Sequence, residues 1–327
     1  MNRSRIPPPV TRVMDAAQMW LPRRMVAVEE RLRELAAGHG ASLGVEAGAT
    51  LEAGGKRLRP LLVLLCAGPA AGAEAERAAA AVELVHMATL VHDDVLDRAP
   101  LRRGRPTVVA RAGRAVATSV GDLLLARAFA ELARGDGSAE RQVALLADAS
   151  TALARGELMQ RRDAFEASLP AERYLERCRL KTARLFECAC RIGRAEAART
   201  DAEQADFGAE IGLAFQLLDD VLDVSGPPER TGKARGTDLL DGTVTLPLIL
   251  ARERDPSLAE VDLRGLDETS AADLCDRIAA TGVLEEVRAA ATGRVERAKR
   301  ALGSAALEPE RRDLLALVAD GVVERYA

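Results

Sequence analysis

The chain has 327 residues, a net charge of −4 and 48% apolar residues, enough for a sizeable core and with no basic field to attract nucleic acid or an anionic membrane. Aromatic residues make up only 2%, while alanine and arginine are abundant, so the composition argues against a large sheet and for an all-α fold. The five cysteines form no CxxC pair and have no neighbouring histidines, which argues against a disulfide framework or a zinc site and for the reduced thiols of a cytoplasmic protein. The longest apolar run, Leu61 to Ala67, is too short to span a bilayer, and the polar, proline-rich start is unlike a secretion signal.

Residues 1–9 read as a loose leader, because three consecutive prolines oppose a helix, and residues 10–327 read as one domain. A short helical stretch is predicted from Val10 to Leu21, and Pro22 is placed to open the next helix at its first turn. There Met25, Val28, Leu32 and Leu35 recur at helical spacing until Gly38 ends the run. Gly54-Gly55 breaks the chain before the basic cluster Lys56-Arg57-Leu58-Arg59-Pro60. Long helices are predicted from Ala75 to about Asp97 and from Val120 to Leu132, with a turn at Arg134–Ser138. Further helices are expected near 140–165, 171–195, 201–224, 241–253, 271–279, 282–302 and 308–325, with Pro170 and Gly226-Pro-Pro228 as breaks.

One pentapeptide, DDVLD, occurs at both 93–97 and 219–223. On a helix its first and last aspartates point the same way one turn apart, and like charges at that spacing repel. A solvated acidic face is the ordinary explanation of such a pattern. Here the flanking residues are apolar: Leu90-Val91 and Val95-Leu96 at the first pentad, Ala214-Phe215-Gln216-Leu217-Leu218 before the second. Unpaired charge on a buried helix is costly. A hard divalent cation resolves the conflict, because magnesium takes carboxylate oxygens and completes its shell with water and substrate phosphates. Cations suited to phosphate lie nearby in sequence: Lys56, Arg57, Arg59, Arg102, Arg103, Lys181 and Lys233. Any one of them alone is ordinary in a chain with 46 lysines and arginines; together with two acidic pentads they suggest a metal-bridged diphosphate site.

The segments GGKRLRP (54–60), HMATLVHDDVLD (86–97), RRGRPT (102–107), GD (121–122), GELMQ (156–160), KTA (181–183) and FGAEIGLAFQLLDDVLD (207–223), followed by TGKARGTDL (231–239) and TLPL (245–248), resemble the ordered motifs of the trans-prenyl diphosphate synthases. The resemblance covers about 50–325 and implies a single-domain helical bundle around a central cavity, of the isoprenoid synthase type, assembled as a homodimer. Carried onto matching positions, it implies that Asp93, Asp94, Asp97, Asp219, Asp220 and Asp223 hold Mg2+. Lys56, Arg57, His86 and Arg103 would bind isopentenyl diphosphate, while Arg102, Lys181 and Lys233 would contact the allylic diphosphate. Thr182 and Gln216 would offer oxygens to the allylic cation. A lone histidine on an apolar face is ordinarily a core residue, but His86 lies two turns before Asp93 on the same face, which favours a ligand role. His92 is assigned none. The chain departs from the family at Asp241-Gly242-Thr243, where many relatives carry a lysine after the glycine.

The implied reaction ionises the allylic diphosphate, adds isopentenyl diphosphate to the cation and loses a proton. Ala88 and Thr89, where short-chain relatives commonly place an aromatic residue, resemble the long-chain members, whose products run to about C30–C50. The alternatives are a short-chain synthase, a catalytic subunit that needs a small partner, and a terpene cyclase. A cyclase would leave Lys56, Arg57, His86 and Arg103 without a purpose, since it binds one diphosphate only.

Overall fold

The computed structural model describes residues 8–37, 39–166, 168–194, 202–226, 235–304 and 307–324. Wherever apolar stripes alternate with Gly or Pro breaks, helix follows helix: α1 (Pro8–Ala16), α2 (Leu21–Ala36), α3 (Gly40–Glu52), α4 (Leu58–Ala67) and α5 (Ala73–Leu96). A two-residue-per-strand hairpin, Leu101–Arg102 with Arg105–Pro106, leads into α6 (Val108–Leu132), α7 (Ala139–Asp163) and α8 (Ala171–Cys178). A π-helical turn, Arg179–Ala183, joins α8 to α9 (Arg184–Ile192), and α10 (Ala202–Ser225) carries the second pentad. The chain closes with α11 (Thr237–Leu240), α12 (Leu246–Arg254), α13 (Glu268–Ala280), α14 (Val283–Ser304) and α15 (Pro309–Glu324). The all-α expectation holds, the hairpin being the only sheet among the described residues.

Two helices form the centre. The run Ala78 to Val85 of α5 is buried at every position, as a helix surrounded by other helices must be. It packs against α6, α4 and α2, while α10 packs against α9 and α14. Each central helix ends in its DDVLD pentad, so both pentads lie at helix C-termini, where the helix dipole disfavours negative charge.

Some elements differ from the sequence reading. α1 starts at Pro8, inside the assigned leader, because proline is tolerated in a helical first turn. α3 and α4 occupy segments to which the sequence reading assigns no helix, and α6 starts at Val108 rather than Val120, with a kink at Gly113 (φ 82°). The expected 241–253 helix starts later, at Leu246, with Thr245 preceding α12 and a proline in its first turn.

Glycines fix the π-helical turn between its neighbours. A Cβ on Gly156 of α7 would lie 2.6 Å from the Lys181 backbone nitrogen, and one on Gly212 of α10 would lie 2.6 Å from the Ala183 Cα. Backbones can approach this closely only without a side chain. Gly156→Ala is therefore expected to cost about 1–3 kcal/mol through overpacking. Gly48→Ala, in α3 with nothing within 4 Å of the new Cβ, is expected to stabilise by about 0.5–1 kcal/mol. Denaturant unfolding of both variants checks the contrast.

Candidate active site

The π-helical turn bridges the two pentads. Lys181 Nζ lies 4.0 Å from Asp93 Oδ2 and also pairs with Glu157. Beside it, Thr182 Oγ1 donates to Gln216 Oε1 at 2.7 Å. Gln216 Nε2 donates in turn to Asp220 Oδ1 at 2.7 Å. A run of contacts thus leads from the first pentad through Lys181 and Thr182 to the second. Glycine packing on both sides of the turn sets this arrangement.

Each pentad has one aspartate facing inward. Asp94 is 5% exposed and accepts from Arg102 Nε at 2.8 Å. Asp220 is 2% exposed and also accepts from the Tyr174 hydroxyl. The flanking aspartates are more accessible. Asp97 pairs with Arg161, whose Nε donates to Glu157 at 2.8 Å. Asp219 is exposed, and Asp223 Oδ2 accepts from the Asp238 backbone N–H at 3.2 Å. Burial pushes the Asp93 carboxyl up to about 6 against the opposing pull of Lys181. Asp220 is pushed up to about 8, by burial and then by the nearby Asp238. Both groups therefore favour added positive charge.

No three of these groups converge on one point among the described residues. The donors are nevertheless all hard carboxylate oxygens, as magnesium requires, and that ion takes only one or two carboxylates when phosphates complete its shell. The residues fit a metal held jointly with substrate.

A basic cleft lies beside the first pentad, lined by Arg57, His86, Asp94, Arg102, Arg103 and Arg111 among others. The hairpin supplies two of these. Arg103 (φ 53°) and Gly104 (φ 72°) form its turn, the left-handed pair that matches strand twist, and Arg103 is exposed at the tip. His86 is held neutral, its pKa well below 6.5, because of burial and then the charges of Arg59, Arg103, Arg57 and Arg102.

Arg57 does not meet its expectation simply. Its guanidinium is neutralised between Glu29 Oε1 (2.5 Å) and Glu83 Oε1 (2.8 Å), and the residue is 7% exposed. Arg59, read from sequence only as one of the cations suited to phosphate, lies 4.4 Å over the Phe186 ring, with a buried Nε that has no hydrogen-bond partner among the described residues. Burial lowers it to about 10. Lys56 is exposed, and Lys233 lies outside the described residues. Ala88 is 1% exposed within α5, and Thr89 Oγ1 donates back to the His86 carbonyl at 2.8 Å. Thr243 is 8% exposed with its N–H on the Asp238 carbonyl at 2.7 Å, so it takes part in loop structure. His92 sits over Gly121, where a Cβ would meet its ring at 2.2 Å. Glu157, Arg161, Tyr174 and Asp238 are the further residues that sequence reading missed.

Because folded His86 resists protonation, the unfolded chain binds more protons below about pH 6.5. The stability it contributes is full above that pH and is lost as pH falls. The unfolding free-energy gap between the wild type and His86→Gln should narrow or reverse from pH 7 to pH 5. A pH-independent gap in denaturant titrations would contradict this.

A family model described as Polyprenyl synthetase matches residues 45–277. Heptaprenyl diphosphate synthase component 2 of Geobacillus stearothermophilus is 38% identical over 272 residues, covering 82% of this chain and 84% of the relative. An all-trans-nonaprenyl-diphosphate synthase (geranyl-diphosphate specific) of Rhodobacter capsulatus is 37% identical, covering 77% and 80%. The crystal structure of a polyprenyl synthase from Caulobacter crescentus CB15, complexed with calcium and isoprenyl diphosphate, matches with a TM-score of 0.89 at 34% identity, covering 97% of this chain and 98% of that one. With a matching family model, a matching fold and relatives at this identity over most of its length, the chain belongs to the polyprenyl synthetase family and is a prenyltransferase that makes polyprenyl diphosphates.

Proposed function

We propose that this site condenses an allylic diphosphate with isopentenyl diphosphate, with Mg2+ as cofactor, to give a trans-polyprenyl diphosphate of about C30–C50. The observation that carries the reading is the contact run from Asp93 through Lys181, Thr182 and Gln216 to Asp220, set beside a cleft rich in arginine. Acidic groups that need positive charge thus adjoin basic groups that need anions.

Asp93, Asp97, Asp219 and Asp223 would hold the magnesium, while Asp94 and Asp220 of the same pentads face inward to Arg102 and Tyr174. When bound, the metal draws charge from the departing diphosphate. Lys181, Arg102 and Lys233 are the cations assigned to the allylic diphosphate. Lys56, Arg59, His86 and Arg103 are assigned to isopentenyl diphosphate, with Arg57 bracing the cleft through Glu29 and Glu83. As the allylic C–O bond breaks, its electron pair leaves with diphosphate. The double bond of isopentenyl diphosphate then forms the new C–C bond, and the released diphosphate takes the proton. Thr182 and Gln216 would offer oxygens to the cation.

The long-chain reading rests on Ala88 and Thr89 and on the hepta- and nonaprenyl names of the relatives. Homodimer assembly and a cytoplasmic location remain part of the proposal; no helix of the described residues is long and apolar enough to cross a membrane. A second reading, a catalytic subunit that works with a small partner, is favoured by one observation: a relative is named component 2 of its synthase.

Incubating the purified chain with labelled isopentenyl diphosphate, a short allylic diphosphate and Mg2+ should give long polyprenyl products, and a chelator should abolish them. Products only after a partner is added would favour the second reading, and none under any condition would refute both. Ala88→Phe should shift products to about C15–C20 while the first condensation continues, because a ring would close the path beside α5. Unchanged product length in a stable, active variant contradicts the chain-length assignment.

A further inference from the structure

Tyr174 sits on α8, away from both pentads in sequence, and is fully buried. Its hydroxyl donates to Asp220 Oδ2. The other carboxylate oxygen, Oδ1, accepts from Gln216 Nε2 at 2.7 Å, and Gln216 Oε1 accepts from Thr182 Oγ1 at 2.7 Å. We propose that Tyr174 is a positioning residue for prenyl transfer, which acts through Asp220 to fix the direction of the Gln216 carboxamide and so the face that Thr182 turns to the allylic cation. The inference rests on the reading of Thr182 and Gln216 given above.

The argument is one of hydrogen-bond polarity. The two ends of a carboxamide are nearly the same size, so shape alone does not choose its orientation; neighbouring donors and acceptors do. With Asp220 ionised, its oxygen facing Gln216 offers only lone pairs, so the amide nitrogen turns towards it and the amide oxygen turns to Thr182. A hydroxyl has a single proton to donate. Once Thr182 commits it to Gln216, the rest of its oxygen surface is lone-pair density, the sign that a cation needs. With the amide reversed, Thr182 would accept from the NH2 group and its own proton would be free to face the cavity, which opposes a cation.

Tyr174 keeps this order by holding the second carboxylate oxygen. Without that hydroxyl, a buried Asp220 oxygen would lack its donor and the carboxylate could rotate away from Gln216. The tyrosine is itself well held. The Arg177 guanidinium lies 5.3 Å from its ring, and Arg177 Nη2 donates to the Val244 carbonyl at 2.6 Å. Asp238 is the other acidic group that acts on Asp220, and it offers no proton that would replace the tyrosine.

The test is Tyr174→Phe in the full-length chain, which keeps the ring and removes one O–H. Steady-state kinetics with a short allylic diphosphate and isopentenyl diphosphate should show kcat reduced by about ten- to hundredfold, the range seen when an outer hydrogen-bond partner of a site is lost. KM for both diphosphates, the Mg2+ concentration for half-activation and calorimetric binding of inorganic pyrophosphate with Mg2+ should stay at wild-type values. A merely structural tyrosine would lower thermal stability and leave kcat of the folded fraction unchanged, which overturns the proposal. A loss explained wholly by weaker metal or pyrophosphate binding also overturns it. Should Tyr174→Phe fail to fold, Asp220→Ala, which removes both acceptor oxygens, reads the same relay, with kcat lowered and the Mg2+ requirement unchanged; a raised Mg2+ requirement there overturns it. A wild-type chain that transfers no prenyl group would defeat the reading of the site itself, whereas an active wild type with an indifferent Tyr174→Phe defeats this inference alone.

Discussion

Carboxylates carried to the mouth of a helical bundle by two largely buried helices repel one another, and the helix dipoles at those C-termini add to the repulsion. The rest of the site can be understood as the answer to this constraint. Around the first pentad the answer is cationic: Arg102 on Asp94, Arg161 on Asp97, Lys181 near Asp93. At the second, Asp220 accepts from neutral donors among the described residues, the Tyr174 hydroxyl and the Gln216 amide, and Asp223 accepts from the Asp238 backbone N–H. Neutral donors orient a carboxylate without cancelling its charge. Asp220 therefore keeps a demand for added positive charge, which the upward push on it reflects.

Packing turns this electrostatic pattern into a geometry. Gly156 and Gly212 let the π-helical turn lie against both α7 and α10 at backbone distance. That position sets Lys181 towards the first pentad and Thr182 towards Gln216. Widened helical turns of this kind recur at functional sites because they re-aim side chains that a regular helix would space differently. On the other side of α5, a tight hairpin turn presents Arg103, and the Glu29–Arg57–Glu83 cluster braces the wall behind it. Buried ion pairs of this type give modest net stability, but breaking one leaves an unpaired charge and is costly, so the wall resists rearrangement.

The sequence disclosed what is periodic or repeated. The apolar spacing of Met25, Val28, Leu32 and Leu35 outlines α2, and the duplicated DDVLD stands out without any structure. α4 escaped because LRPLLVLLCA is apolar on every face and so has no period to detect, while its proline sits harmlessly in the first turn. The first half of α6 was hidden by the Gly113 kink, and α3 by its glycines. In the site, the residue types were legible but their partners were not. Nothing in KRLRP tells which arginine turns to Glu29 and Glu83 and which lies over Phe186; that depends on the left-handed backbone at Arg57 (φ 47°). Tyr174 and Glu157 likewise act through residues distant in sequence.

The central claim is that the acidic mouth and the basic cleft are balanced only when metal and diphosphate arrive together. Calorimetric titration of an unreactive allylic thiolodiphosphate tests it most directly, with Mg2+ present and with Mg2+ removed by a chelator. The account predicts saturable binding with Mg2+ and a loss of about tenfold or more in affinity without it, a difference of about 1.4 kcal/mol or more. Equal affinity in the two conditions would contradict it, because the lysines and arginines alone would then hold the substrate against the aspartates.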